Sequence, residues 1–101
     1  MTYKMFIDDE RFPVDGTWAI VRSSQQAIQM VVDIGIPTFI SFDHDLGGED
    51  TSIVFIKWLI DYMLDNNLQF PKDFDFYVHS QNPIGKTNIE HLMRGFMEAV
   101  A

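Results

Sequence analysis

Three short stretches of this 101-residue chain concentrate side chains able to do chemistry: Asp8-Asp9-Glu10, Asp43-His44-Asp45 and His79-Ser80-Gln81-Asn82. If Asp8 or Asp9 approaches Asp43, the carboxylates repel unless one is protonated or a cation joins them. Hard oxygen donors and the absence of cysteine point to a divalent metal, Mg2+ with Mn2+ or Ca2+ as alternatives. The plainer reading is that Asp8-Asp9-Glu10 is a solvated strand end in which one acid caps a turn. Histidine is the side chain suited to moving protons at neutral pH, so His44 and His79, each at the end of an apolar run, can share acid and base roles in one cleft. Paired histidines also ligate metals. Ser80 reads as a phosphate hydrogen-bond donor rather than a nucleophile, since no Gly-x-Ser-x-Gly elbow surrounds it. Gly85-Lys86-Thr87 imitates the end of a phosphate-binding loop, but the upstream glycine is missing and position 80 is Ser. Lys86 and the start of the last helix remain able to assist an anion.

The elements that must position these groups are short. Residues 3–7, 18–21, 38–42 and 74–78 are apolar runs, three of them stopping at the reactive stretches and the second at Arg22, as buried strands do at the rim of a sheet. Between the first two runs, Pro13 and Asp15-Gly16 mark a loop too short for a crossover helix. Ser23 or Ser24 caps a helix over Ser24 to Ile34, with Ala27, Ile28, Val31 and Val32 on one face and Gly35 and Pro37 ending it. Thr51 or Ser52 opens a second helix, whose Val54, Phe55, Trp58, Leu59, Tyr62 and Met63 recur at helical spacing until Asn66-Asn67. Ile89, Leu92, Met93, Phe96 and Val100 describe a third. Trp18 reads as strand core, and His91 falls on the polar side of the last helix. Alternating strands and helices predict a mainly parallel sheet, in which ligands bind beyond the carboxyl ends of the strands.

Composition bounds the function. The length fits one α/β domain spanning residues 1–101, and 47% apolar with 22% charged residues is ordinary for a globular chain. A net charge of −8 argues against binding a long nucleic-acid backbone. Five of the 15 acids, Asp8, Asp9, Glu10, Asp43 and Asp45, belong to two of the reactive stretches, so the acidity is local and speaks for a cation. No apolar stretch approaches the roughly 20 residues that span a bilayer, and zero cysteines favour a reducing compartment. The expectation is a cytoplasmic protein without a membrane partner.

The arrangement resembles the receiver domain of two-component signalling. That resemblance implies a flavodoxin-like fold in which Asp8, Asp9 and Asp43 bind magnesium, Asp43 accepts a phosphoryl group and Ser80 contacts it. The helix after the first strand is missing, however, and Lys86 is not at the place of the family's lysine, which follows a fifth strand. A closer resemblance is to cyclic-phosphate-processing receiver domains. It is carried by Phe6-Ile7-Asp8-Asp9-Glu10-Arg11, Trp18 to Arg22, Ile40 to Gly47, Lys57-Trp58, and Val78 to Gly85 with Asn88. It implies a small receiver-like domain that processes cyclic phosphate ends of RNA or cyclic nucleotides.

The fold expected is a four-stranded, mainly parallel sheet of order 2-1-3-4 with about three helices. The function expected is a metal-assisted phosphoesterase: Asp8, Asp9, Asp43 and Asp45 at the metal, His44, His79 and Asp43 as catalytic groups, and Arg11, Arg22, Ser80 and Asn82 on the phosphate. The alternative is a noncatalytic module binding metal and a protein partner or phosphorylated ligand.

Overall fold

The structure of the chain, a computed structural model, describes residues 2–101. Strands β1 (Lys4–Ile7), β2 (Trp18–Val21), β3 (Phe39–Phe42) and β4 (Asp75–Val78) form one sheet in the order 2-1-3-4, every neighbouring pair parallel. Helices α1 (Ser24–Ile34), α2 (Ser52–Asp65) and α3 (Pro83–Ala99) follow β2, β3 and β4. This is the strand order and helix count that the sequence predicts.

Local chemistry sets the helix ends. Ser23 caps α1, its Oγ accepting from the N–H of Gln26 at 3.1 Å, and Gly35 ends it at φ 110°, where a side chain would be strained. In α3, Pro83 takes the first turn, where its missing N–H costs nothing, and Asn82 caps it. The helix therefore starts about one turn before Lys86.

The connection between β1 and β2 decides what the sheet exposes. Parallel neighbours require the chain to cross back over the sheet, usually as a helix; residues 8–17 cross as an irregular loop. The helices pack α1 on α2 and α2 on α3. They bury Ala27, Val31, Phe55, Leu59, Ile89 and Met93 against Met5, Ile7, Ile40, Phe42, Phe76 and Val78 of the sheet. Because strand side chains alternate, two register rows face the other way: Trp18, Lys4, Phe39 and Asp75, then Ile20, Phe6, Ser41 and Tyr77. No helix covers this second face among the described residues.

Two expectations about packing change as a result. Trp18 stands outside the helix-covered core, half-buried on the open face with the Lys4 ammonium 4.3 Å from its ring centroid. Val32 and Val54, expected on buried helix faces, are 51% and 48% exposed, since each lies one step of about 100° beyond a buried neighbour. Among the described residues no helix is long and apolar enough to cross a membrane.

Candidate functional site

The sheet's hydrogen-bond ladder continues one residue past three strands. Asp8 N–H donates to Val21 C=O at 3.1 Å, Asp43 N–H to Ile7 C=O at 2.9 Å and His79 N–H to Phe42 C=O at 2.8 Å. Each of the three residues lies two positions beyond a residue of the Phe6, Ser41, Tyr77 row, so the period-2 alternation puts them on the same open face. One ligand atom from each of Asp8, Asp43 and His79 falls within 4.8 Å of the others. This is an acidic cluster with the donor types of a metal site.

Asp8 is fully buried and fully engaged. Its Oδ1 accepts from the backbone N–H of Glu10 and Arg11 at 2.9 and 2.8 Å, and its Oδ2 from Arg11 Nε at 2.9 Å and His79 Nε2 at 3.0 Å. Burial works against its ionisation, but the two backbone donors, His79 and the Arg11 charge outweigh that and hold its carboxyl below the usual carboxylate range. Arg11 reaches further, placing Nη2 3.4 Å from Asp43 Oδ2. One guanidinium is thus counter-ion to both carboxylates. Asp43 in turn accepts from the N–H of His44 at 2.9 Å, and its carbonyl accepts from Ser52 Oγ.

The hydrogen bonds assign the proton on His79. Ionised Asp8 only accepts, so Nε2 carries a hydrogen; Nδ1 lies 2.7 Å from the Ser41 hydroxyl, from which it accepts when the ring is neutral. The ring is stacked on Phe6, with centroids 4.6 Å apart.

His44 is held elsewhere. Its Nδ1 is 3.1 Å from Asp45 Oδ1, and its ring packs against Gly85, where a Cβ would fall 2.4 Å from His44 Cγ. The hydrogen bonds from His44 and Asn82 hold the exposed Asp45 carboxyl below its ordinary range. Asn82 spends its side chain on the fold: Oδ1 accepts from Gly85 N–H at 2.9 Å and Nδ2 donates to Asp45 at 3.3 Å. Ser80 Oγ accepts from the N–H of Asn82 at 3.1 Å. Arg22 donates to the carbonyls of Asp8 and Arg11 at 3.0 and 2.5 Å and lies over the Phe12 ring, so its guanidinium pins the residue 8–17 loop.

Two depressions flank this cluster. A rim cleft of about 490 Å³ is lined by Asp9, Arg11, Asp43, Asp45, Ser80 and Asn82 among others. A hollow of about 310 Å³ on the open face is lined by Phe6, Phe12, Trp18, Ser41, Tyr77 and His79 together with Arg11, which belongs to both. The sequence expectation puts both histidines at one cleft; in the structure His79 lines the hollow and His44 lines neither depression. Ser41 escapes a reading of strand ends because it sits inside β3 among apolar residues. Its signal is parity: it lies two residues before Asp43 and shares its face.

The model of the family described as the cyclic-phosphate processing receiver domain matches residues 3–95. No curated protein and no solved structure matches the chain.

Proposed function

Because the chain belongs to the cyclic-phosphate processing receiver domain family, we propose that its rim cleft binds a small cyclic phosphate ester, on a cyclic nucleotide or an RNA end, and opens it by metal-assisted hydrolysis. The observation that carries this reading is the charge balance of the cleft. Asp9, Glu10, Asp43 and Asp45 line it against a single cation, Arg11. A phosphate enters such a cleft only with further positive charge.

The donor set fits a hard divalent ion. Asp8 and Asp43, with Asp9 and Asp45 nearby, would hold Mg2+, Mn2+ or Ca2+. Bound there, the ion would polarise a phosphoryl oxygen and lower the cost of activating water. Arg11 is 42% exposed in its side chain, and once relieved as counter-ion its fork can hold the phosphate through paired hydrogen bonds. The Ser80 hydroxyl lines the same cleft and donates beside it. Water adds to phosphorus, the bond from phosphorus to one ring oxygen breaks, and that oxygen leaves with a proton. That proton is the one the water gives up, relayed by His79, which reaches the cluster from the hollow side and is oriented through Nε2 by Asp8.

One observation favours the noncatalytic alternative: Asp8 and both ring nitrogens of His79 already have partners. A module that binds a phosphorylated ligand or a protein without turnover needs no more. Incubation with a panel of 2′,3′- and 3′,5′-cyclic nucleotides, followed by 31P NMR with Mg2+ and with chelator, separates the two. Metal-dependent conversion to a monoester is the expected result; metal binding without conversion of any member favours the module.

A further inference from the structure

We infer that the aromatic hollow on the helix-free face of the sheet is a subsite for a planar heterocycle, the base of a nucleoside whose phosphate sits in the rim cleft. The inference rests on the rim reading for the phosphate, and on the hollow itself for the ring.

Position is the first argument. Arg11 lines both the cleft and the hollow, and His79 on the hollow side contacts Asp8. A phosphate held by Arg11 therefore has its substituent next to the hollow. Size is the second. At about 310 Å³ the hollow lies at the lower end of small-molecule pockets. The residue 8–17 loop closes one side through Phe12, Pro13, Val14 and Asp15, which bounds the space to a ring rather than the length of a helix.

Chemistry is the third. Tyr77 is 58% and Phe12 74% exposed, and with half-buried Trp18 they present aromatic surface around a floor formed by Phe6. Such side chains bind bases because every base has a π face. The floor is not only apolar: the Ser41 hydroxyl and the His79 ring, hydrogen-bonded to each other, lie in it. Arg11 and Asp15 balance in charge, so the hollow suits a neutral group while the cleft suits the phosphate with its cation.

The test uses the Trp58→Phe protein, which leaves Trp18 as the reporter. It is titrated in Mg2+ with a 2′,3′-cyclic nucleotide, with ribose 2′,3′-cyclic phosphate lacking the base, and with the uncharged nucleoside. The nucleotide is expected to bind more tightly than the baseless phosphate and to change Trp18 emission. Adding Tyr77→Ala or Phe12→Ala, both at exposed positions, should lower that preference roughly five- to hundredfold. Equal binding of nucleotide and baseless phosphate would overturn the subsite and leave the rim reading standing. A nucleoside that shifts Trp18 emission while neither phosphate binds would sustain the subsite and overturn the rim reading. No binding by any probe overturns both, and a dimer that Tyr77→Ala dissociates would assign the face to a second copy instead.

Discussion

The imidazole of His79 lies flat on the ring of Phe6, its plane 3° from parallel and its centroid 4.6 Å away. That contact joins the chemistry of the sheet's rim to its open face. Phe6 is 7% exposed although no helix lies above it, because the His79 ring and the residue 8–17 loop cover it. Replacing the ring by an aliphatic side chain keeps the burial and removes the stack. Phe6→Leu is expected to cost about 1 kcal/mol in urea unfolding and to move the His79 ring proton resonances downfield as the ring current disappears. Unchanged His79 resonances would show that the stack does not hold the imidazole.

Gly85 offers a test with opposite signs. Within a helix Gly→Ala adds up to about 1 kcal/mol of stability on propensity alone, and Gly85 lies in the first turn of α3. Here the new Cβ would fall 2.4 Å from His44 Cγ, too close for either side to stay. The expected outcome for Gly85→Ala is destabilisation by about 1–3 kcal/mol, the usual cost of overpacking, with loss of the His44 to Asp45 contact. A stabilised variant in urea unfolding would mean that His44 moves aside freely.

Acid should loosen the fold through Asp8. Its carboxyl is held below the ordinary value of 3.8 in the folded chain. Its contribution is therefore complete above that value and is lost as pH falls through the lower folded one. Asp8→Asn should cost about 2 kcal/mol at pH 7, since it removes a charged acceptor from a buried network. The variant's stability should then fall less steeply than the wild type's as pH drops below about 4. Parallel stability profiles for the two proteins would place the acid sensitivity in other groups.

Arg11 and a divalent ion compete for the same carboxylates. Arg11→Ala should therefore strengthen Mg2+ or Mn2+ binding, by about tenfold as read by calorimetry, because a cation beside Asp8 and Asp43 is removed. The same substitution should weaken binding of the cyclic phosphate. Weaker metal binding in the variant would show that Arg11 organises the carboxylates rather than competing for them.

Much of this was legible in the sequence because the strands are short and end abruptly. Asp8, Asp43 and His79 each close an apolar run, and parallel strands deliver their ends to one rim. What the residues did not disclose is which way each side chain turns. Arg22 follows β2 as Asp8 follows β1, yet it binds two loop carbonyls, because the residue 8–17 segment crosses within its reach. Asn82 looked like a phosphate donor by its place after β4; the early start of α3 makes it a cap. The role of Ser41 and the placement of Trp18 outside the core follow from the second face of the sheet, which no helix covers among the described residues because a loop replaces the first crossover.

On the proposed reading, Asp43 serves the opening of a cyclic phosphate ring. The measurement that tests it most directly is the rate of 2′,3′-cyclic nucleotide hydrolysis by wild-type and Asp43→Asn protein, compared at saturating Mg2+ by 31P NMR. Asn keeps the size and one acceptor oxygen but removes the charge. The expected result is metal-dependent hydrolysis in the wild type that falls roughly a hundredfold or more in the variant. Equal rates in the two proteins would contradict it.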